Sequence, residues 1–214
     1  MTPSKARETT DWRVYVILDP RHLHPGNDLY ETARAALRGG AGVLQLRDKE
    51  SSGLELVGCA RDLQAICDEF GATFVVNDRF DVALAADADG VHLGPEDVPV
   101  RDVRRLAPDL LIGGSAGSVQ RAEDLVEEGV DYLGCGAVYD AGRSKPDASE
   151  PRGPEAVGAI ARTVDIPVVG IGGITPDNAR AVIEHGADGV AVIRAVVQHP
   201  DPEQAVEELL EAIG

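Results

Sequence analysis

Short runs of β-branched and other apolar residues alternate with amphipathic segments along the whole chain. Eight such pairs can be counted within the 214 residues. Most of the apolar runs are nearly continuous, as expected of strands buried on both faces of a parallel sheet. Alternation of strands and helices is typical of βα units, and about 200 residues suffice for eight of them. The sequence therefore predicts an α/β fold, a single (β/α)8 TIM barrel.

The periodicity also predicts where the elements lie. The predicted strands are Val14–Leu18, Val43–Gln45, Thr73–Val76, Gly90–His92, Leu111–Gly113, Tyr132–Gly134, Val168–Ile171 and Gly189–Ile193. The predicted helices are Leu29–Leu37, Leu54–Phe70, Arg79–Ala85, Val100–Leu106, Ala122–Glu128, Glu155–Thr163, Asn178–His185 and Pro202–Ile213. We expect residues 12–214 to form a single catalytic barrel domain and residues 1–11 to form a flexible N-terminal tail.

A short phrase recurs where helices give way to strands. It takes the forms Gly39–Val43, Ala88–Val91, Gly129–Tyr132 and Gly186–Val190, and in three of the four a glycine ends the preceding helix. The spacing is roughly 45 residues or its multiples, as expected for repeated units. The loops between the repeats differ greatly, which favours a barrel over a solenoid.

The charge balance excludes some classes of partner. The chain carries 20 basic and 37 acidic residues, a net charge of −17. Nonspecific binding to nucleic acid or to an anionic membrane needs a basic surface, so neither is expected. No segment resembles a membrane span or the apolar part of a signal peptide, and we expect a cytoplasmic protein. Small anionic substrates are compatible with local clusters of cations.

Lysine is scarce among the basic residues. Only Lys5, Lys49 and Lys145 are lysines, and the other seventeen basic residues are arginines. An excess of acid with little lysine indicates a salt-adapted source, although a GC-rich coding sequence would favour arginine as well.

Several site types are disfavoured by spacing. Cys59, Cys67 and Cys135 form no CxxC pair and no even set, which argues against disulfides and structural zinc. His22 and His24 share a loop without a third ligand at metal spacing. The glycine runs at 134–136 and 170–172 lack the third glycine of a dinucleotide-binding loop.

Two cations follow the second predicted strand. Arg47 and Lys49 are two residues apart, so extended backbone directs both side chains the same way. Paired cations suit a diphosphate. A solvated loop with an ion pair to Asp48 or Glu50 is the alternative.

Carboxylates follow the third and fourth predicted strands. Asp78 and Asp97 are expected to meet above neighbouring strands, where a few carboxylate oxygens, water and a substrate phosphate would satisfy Mg²⁺. The alternative for Asp78 is a helix N-cap. His92 ends the fourth strand, where a ligand or a base is one interpretation and a hydrogen-bonded core residue is the more common one, so we assign it no role.

The last two strands end in phosphate-binding features. Gly170–Ile174 follows the seventh strand and Thr175 opens the next helix, which presents amides beside a helix N-terminus. The loops after the seventh and eighth strands of such barrels often share a phosphate site, where Arg194 would add a cation. The long irregular segment from Tyr139 to Arg152 carries Lys145 and is expected on the same face.

Taken together, these motifs resemble the thiamine-phosphate synthase family. They are QLRDK at 45–49, NDR at 77–79, DGVHLGPED at 89–97, IGGS at 112–115 and PVVGIGGI at 167–174. The resemblance implies a Mg²⁺-dependent transferase of thiamine biosynthesis that joins hydroxymethylpyrimidine diphosphate to hydroxyethylthiazole phosphate and releases pyrophosphate.

The same resemblance implies roles for individual residues. It implies that Asp78 and Asp97 hold the metal and that Arg47, Lys49 and Lys145 are catalytic, and it implies a substrate-binding set of Gln45, Arg47, Lys49, Asn77, Ser115, Lys145, Gly173, Ile193 and Arg194.

The chain departs from the family pattern at four places. Ala141–Lys145 replaces a threonine-rich loop, Arg194 stands where serine is common, and Pro95 replaces a usual glutamine. Gly117 stands where many relatives, including the sister thiazole tautomerases, carry a histidine suited to proton transfer, which argues against that sister activity.

Two other functions stay open at this point. A barrel isomerase or aldolase acting on a sugar phosphate would use Lys145 as base or imine, and a catalytically silent phosphate-ligand binder would keep the pocket without the chemistry. A homodimer is a hypothesis that no residue of the sequence supports.

Overall fold

A computed structural model describes residues 10–140 and 150–214 of the chain. Within them, eight parallel strands pair in chain order and β8 pairs with β1, which closes the barrel. The predicted TIM barrel is therefore confirmed. The strands are β1 Val14–Leu18, β2 Val43–Leu46, β3 Thr73–Asn77, β4 Gly90–Leu93, β5 Leu111–Ala116, β6 Tyr132–Gly136, β7 Val168–Ile171 and β8 Gly189–Val192.

Helices follow the strands and pack around the barrel. They are α1 Leu29–Arg38, α2 Gly53–Phe70, α3 Phe80–Ala85, α4 Val100–Leu106, α5 Val119–Glu128, α6 Gly153–Ala161, α7 Pro176–Glu184, α8 Arg194–Val197 and α9 Pro202–Ile213. A 3₁₀ turn, Pro20–His22, follows β1. The turn of α8 was not predicted, and α5 begins three residues early because the Ser118 side chain accepts the Arg121 amide as an N-cap.

Two apolar layers stabilise the barrel. One lies between strands and helices, and the other fills the barrel interior with residues such as Tyr15, Val43, Val75 and Tyr132. The Trp12 ring closes the lower end of the interior, with its centroid 4.6 Å from that of Tyr132. Side chains thus fill the barrel interior at this end, and a cavity opens at the carboxyl ends of the strands.

The recurring sequence phrase has a structural cause at the amino ends of the strands. The Asp131 carboxylate, just before β6, accepts the Ile112 amide of β5 at 2.8 Å. In the same way Asp89 accepts the Phe74 amide at 2.9 Å, and Asp188 accepts the Val168 amide at 2.8 Å. These three bonds, here called carboxylate staples, each tie an even-numbered strand to the strand before it.

The glycine after Asp89 is explained by close backbone approach. A Cβ at Gly90 would lie 2.6 Å from the carbonyl oxygen of Leu111 on the neighbouring strand, so no larger residue fits without displacing β5. Gly129 ends α5 with a φ of 98°, which favours glycine.

Most of the expected N-terminal tail, residues 1–9, lies outside the described residues. Thr10 and Asp11 contact the rest of the chain: the Thr10 and Thr73 hydroxyls are 2.8 Å apart, and Asp11 pairs with Arg13 at 2.7 Å. Among the described helices, none combines the length and apolar character needed to cross a bilayer.

Candidate active site

A cavity of about 930 Å³ opens at the carboxyl ends of the strands. In barrels of this type that end carries the active site. Every predicted site residue within the described ranges lies in the cavity wall, namely Gln45, Arg47, Lys49, Asn77, Asp78, Asp97, Ser115, Gly173, Ile193 and Arg194. The predicted role of Lys145 falls outside the described residues, as does the altered loop Ala141–Lys145.

The cavity differs in charge from the rest of the protein. Its described wall contains five cationic and four acidic side chains, whereas the whole chain has 20 basic and 37 acidic residues. The cations in the wall are Arg47, Lys49, Arg121, Arg152 and Arg194. This local balance suits an anionic ligand within an otherwise acidic protein.

Arg47 is buried in the cavity wall as an extension of β2, and it does not lie in a solvated loop. It is 3% exposed, and its amide continues the β1–β2 ladder by bonding to the Leu18 carbonyl at 2.9 Å. Its Nη1 donates to Oδ2 of Asp19 at 2.6 Å. Asp19 is fully buried and also accepts from the Arg21 guanidinium, at 2.8 and 3.1 Å.

Asp19 keeps its charge in this buried place. Burial acts to raise the pKa of its carboxyl, but hydrogen bonds from Arg21 and Arg47 outweigh burial and hold the pKa below its ordinary value. Asp19 is not among the residues predicted from the sequence. The available signal was a carboxylate directly after the apolar run of β1, at the same strand end as Arg47.

Lys49 pairs across to the next loop. Its Nζ lies 3.3 Å from Oδ2 of Asp78, so the expected alternatives, an ion pair to Asp48 or Glu50, are not what the structure has. Asp48 instead accepts the amides of Glu50 and Ser51 and organises its own turn. A cation and an acid from neighbouring strand ends therefore face each other in the cavity.

Asp97 adds a second acid beside Asp78. Its Oδ2 accepts the Gly94 amide at 2.7 Å, which fixes the loop after β4. Burial raises the pKa of the Asp97 carboxyl, and the adjacent Asp78 carboxylate raises that pKa further. The two acids interact directly across the β3 and β4 loops, as the sequence predicted, and Asp78 caps no helix, since α3 has no side-chain cap.

The backbone of Asp78 is held in an unusual conformation. Its φ is 63°, in the left-handed region that non-glycine residues seldom adopt. Its amide donates to the His92 carbonyl at 2.8 Å, which ties the β3 loop to β4. Strain of this kind persists where the surroundings enforce it, often at functional sites.

The donor set at this corner fits a hard divalent cation with few protein ligands. Asp78 and Asp97 supply carboxylate oxygens, and their mutual repulsion would be relieved by a cation. In the described parts of the chain, no three His, Cys, Asp or Glu side chains come together as a metal cage. Mg²⁺ commonly binds through one or two carboxylates, with water and substrate phosphate completing its octahedron.

A chain of hydrogen bonds crosses the cavity floor. Gln45 Nε2 donates to the Tyr15 hydroxyl at 2.7 Å, and the Tyr15 and Tyr132 hydroxyls are 2.9 Å apart. Tyr132 then meets His92 Nδ1 at 3.1 Å, and His92 Nε2 meets Ser115 Oγ at 3.0 Å. This floor network joins two predicted binding residues, Gln45 and Ser115, through three aromatic residues to which the sequence analysis gave no role.

His92 is therefore hydrogen-bonded, as expected, but it also lines the cavity. Glycines make room for the aromatic side chains of the floor network. A Cβ at Gly113 would overlap the Tyr132 ring, and one at Gly134 would lie 3.0 Å from His92 Cε1. Larger residues at these two positions would displace the floor network.

The opposite side of the cavity is built from the loops after β7 and β8. Gly172 and Gly173 have φ values of 106° and 64°, so this turn depends on glycine. The Asn178 side chain accepts the Thr175 amide at 2.9 Å and donates to the Gly173 carbonyl at 3.0 Å, which fixes the turn onto α7. Arg194 begins α8 and lines the same side.

A fifth cation lies beside Gly117. The Arg152 guanidinium donates to the Gly117 carbonyl, and a Cβ at residue 117 would lie 3.6 to 3.8 Å from it. Arg152 thus stands against the position where relatives carry a histidine. No role was predicted for Arg152, because a position in the long irregular segment does not indicate where its side chain points.

Comparison with known proteins agrees with the geometry. The sequence profile of the family described as thiamine monophosphate synthase matches residues 14–196. A protein of Moorella thermoacetica named thiamine-phosphate synthase is 46% identical over 203 residues, covering 94% of this chain and 96% of that protein. One of Haloarcula marismortui with the same name is 45% identical over 209 residues, covering 95% and 97%.

A solved structure is similar throughout. The thiamine phosphate pyrophosphorylase of Pyrococcus furiosus superimposes with a TM-score of 0.87 at 43% identity, covering 95% of this chain and 96% of that one. The chain belongs to the thiamine monophosphate synthase family.

Proposed function

We propose that the chain joins hydroxymethylpyrimidine diphosphate to hydroxyethylthiazole phosphate, giving thiamine phosphate and pyrophosphate, by a magnesium-assisted dissociative substitution. Family membership supports the transferase activity. One observation supports two separate substrate sites within the cavity. Lys49, Asp78 and Asp97 come together on one side of it, and the glycine turn with Arg194 lies on another side.

The diphosphate side lies at strands β2 to β4. Arg47 and Lys49 would bind the diphosphate oxygens with Asn77, and Asp78 with Asp97 would hold Mg²⁺. When bound, the metal supplies positive charge that stabilises the departing pyrophosphate. In the resting chain Lys49 is paired with Asp78, so substrate binding exchanges that partner for phosphate oxygen.

The pyrimidine would lie on the floor network. Gln45 and Ser115 present amide and hydroxyl groups on either side of Tyr15, Tyr132 and His92. A heteroaromatic ring with nitrogen atoms needs such donors and acceptors within a mainly apolar floor. The floor network is anchored by mutual hydrogen bonds, so the ring would meet groups already oriented.

The thiazole phosphate would bind at strands β7 and β8. The amides of Gly173, Ile193 and Arg194 are its candidate partners, and the Arg194 side chain supplies a cation where relatives commonly have serine. Pro95 and Gly117, two other departures from the family pattern, lie in the same cavity wall and would change its shape near the acids and near Arg152.

The chemistry needs no protein nucleophile. The bond between the pyrimidine methylene carbon and the diphosphate oxygen breaks, and its electron pair leaves with pyrophosphate. The electron-rich pyrimidine carries the resulting positive charge, and the lone pair of the thiazole nitrogen forms the new carbon–nitrogen bond. Arg47, Lys49 and the proposed contribution of Lys145 stabilise the growing negative charge on the leaving group, as preorganised cations do.

We also propose three further properties of the protein. It acts on small phosphorylated molecules, it works in the cytoplasm, and it assembles as a homodimer. Multi-angle light scattering at micromolar concentration decides the last, since a monomer has a mass of 22.5 kDa.

The test combines both phosphorylated substrates with the protein and Mg²⁺ and follows thiamine phosphate. We expect product with the unaltered chain and a loss of about 100-fold or more in Asp97→Ala, because one of two charged metal ligands is gone. Asp109→Ala is the control, since Asp109 is an exposed acid outside the cavity wall. Equal rates in the two variants would refute the metal assignment.

An aldolase that works through a lysine imine is tested with the same protein sample. Borohydride added with a sugar phosphate traps an imine on lysine, whereas the substitution proposed here forms none. A covalent adduct detected by mass spectrometry would favour the aldolase.

A further inference from the structure

Asp19 does not line the cavity, but it holds Arg47, which does. Asp19 is fully buried, and Arg47, 3% exposed, lines the cavity. The 2.6 Å bond between them joins the end of β1 to the end of β2. A guanidinium has five donors, and Asp19 takes one from Nη1.

Burial makes Arg47 dependent on a counter-charge. A guanidinium that is almost wholly removed from water is unfavourable unless an acid or several acceptors compensate it. Asp19 is that acid, and the Arg21 guanidinium donates to both of its carboxylate oxygens, sharing Oδ2 with Arg47. The three side chains of Arg21, Asp19 and Arg47 are thus linked in a row, here called the clamp. It runs from Arg21, whose side chain is 36% exposed, to Arg47 in the cavity wall.

We propose that Asp19 is a positioning residue for the diphosphate: it fixes the Arg47 guanidinium in the orientation in which its remaining donors meet the substrate's phosphate oxygens. The inference rests on the proposed function, because it assumes that Arg47 binds the diphosphate. Asp19 acts through Arg47 alone and contacts no substrate.

Two other roles for Asp19 make different predictions. If its negative charge mainly repelled the diphosphate, removing that charge would strengthen pyrophosphate binding. If it served only as the N-cap of the turn Pro20–His22, asparagine would replace it without effect, because asparagine caps equally well. Asp19→Asn therefore separates positioning from both.

The chain provides a matched control at the other end of β1. Asp11 holds Arg13 as Asp19 holds Arg21: two residues apart, with bonds from the amide, Nε and Nη2 at 3.1, 3.0 and 2.7 Å. The corresponding bonds to Asp19 are 3.1, 3.1 and 2.8 Å. The Asp11 side chain is 40% exposed and does not line the cavity, so Asp11→Asn removes the same type of ion pair without affecting Arg47.

The experiment measures binding of inorganic pyrophosphate with Mg²⁺ by isothermal titration calorimetry, without turnover. We expect Asp19→Asn to weaken binding by about 10-fold to 100-fold, the range for hydrogen bonds to charged groups, and Asp11→Asn to stay within about twofold. Binding by Asp19→Asn that equals or exceeds that of the unaltered chain overturns the inference.

A double-mutant cycle tests whether Asp19 acts through Arg47. Arg47→Met removes the charge and keeps the length, and in that background Asp19→Asn should change pyrophosphate binding by less than about twofold. Full additivity of the two substitutions overturns the inference. Should Asp19→Asn fold poorly because Arg47 is left uncompensated, the double variant should recover a cooperative thermal transition, since both charges are then absent.

Failure of the inference and failure of the proposed function give different results. If the unaltered chain binds no pyrophosphate with Mg²⁺, the diphosphate site is wrong and the role of Asp19 falls with it. If the unaltered chain and Asp11→Asn bind normally and Asp19→Asn does too, only the positioning role is overturned.

Discussion

The ammonium of Lys49 lies 3.3 Å from a carboxylate oxygen of Asp78, across the loops that follow β2 and β3. A residue proposed for phosphate and a residue proposed for metal are thus partners before either ligand arrives. Asp78 has a backbone φ of 63°, and its carboxylate lies beside both Lys49 and Asp97. The metal corner is therefore shaped by backbone conformation as well as by charge.

Asp78→Asn should change metal use without destabilising the fold. Asparagine is one of the few residues that tolerate a positive φ, so thermal stability should stay nearly unchanged. The half-saturating Mg²⁺ concentration for activity should rise roughly tenfold or more, because a charged ligand becomes neutral. Metal titrations of the reaction rate, with a melting curve for each protein, measure both effects.

Asp87→Asn is the control for that substitution. Asp87 is the other described aspartate with a positive φ, 53°, and it lies outside the cavity wall. Its variant should match the unaltered chain in both Mg²⁺ dependence and melting. Equal Mg²⁺ curves for the two asparagine variants would contradict the assignment of Asp78.

Arg194→Ser should act on one substrate only. It restores the residue common in relatives and removes a cation from the side of the cavity formed by β7 and β8. We expect the KM for the thiazole phosphate to rise about tenfold, as for loss of a charged hydrogen bond, while the KM for the pyrimidine diphosphate stays within about twofold. Steady-state kinetics with each substrate varied in turn measure the two values, and a matching rise in both would show that Arg194 does not discriminate between the sites.

Alkaline pH should destabilise the fold through the floor network. Burial raises the pKa of both Tyr15 and Tyr132 far above the usual value near 10, and the unfolded chain has no such burial. Above about pH 10 the unfolded state loses protons that the folded state keeps, so the unfolding free energy falls by up to about 1.4 kcal/mol per pH unit for each tyrosine.

Urea unfolding between pH 7 and pH 11 measures this slope. In Tyr15→Phe the decrease of the unfolding free energy above about pH 10 should be smaller by the contribution of one tyrosine. Tyr139→Phe is the comparison: burial raises the pKa of Tyr139 less than that of Tyr15, so this variant should reduce the decrease by a smaller amount. Parallel curves for the unaltered chain and Tyr15→Phe would mean that the Tyr15 hydroxyl ionises in the folded protein at its ordinary pKa.

Salt should stabilise the protein if its acidity is an adaptation to salt. With a net charge of −17, like-charge repulsion acts against the compact state, and potassium chloride screens it. The melting temperature should rise steadily from 0.1 M to about 2 M potassium chloride, in the range where the Debye length falls below about 10 Å. If the melting temperature stays constant or falls with potassium chloride, a GC-rich coding sequence that favours arginine would explain why lysine is scarce.

The sequence alone was enough to predict the barrel, because each strand is a nearly continuous apolar run between amphipathic segments. Val14–Leu18 and Val168–Ile171 have the predicted bounds. Ends marked by capping were harder, since Ser118 extends α5 through a side-chain bond and not through apolar periodicity. The turn of α8 was missed because four residues are too few to show a period.

The cavity residues were predictable where chain order alone brings strand ends together. Asp78 and Asp97 follow neighbouring strands, and parallel order is enough to place them side by side. The bond between Tyr15 and Tyr132 joins β1 to β6, which are not neighbours in the barrel, and its partners are separated by 117 positions in the sequence. No local pattern in the sequence carries that information.

The carboxylate staples of Asp89, Asp131 and Asp188 divide the barrel into pairs of strands. Each staple lies within one βαβ segment, at the end of the barrel farthest from the cavity. Each of the strand pairs β3–β4, β5–β6 and β7–β8 is thus joined by a bond between its own residues. New chain termini placed between these strand pairs, rather than within one, would keep both residues of every staple in one continuous βαβ segment. The junctions between the pairs are therefore the natural points for circular permutation.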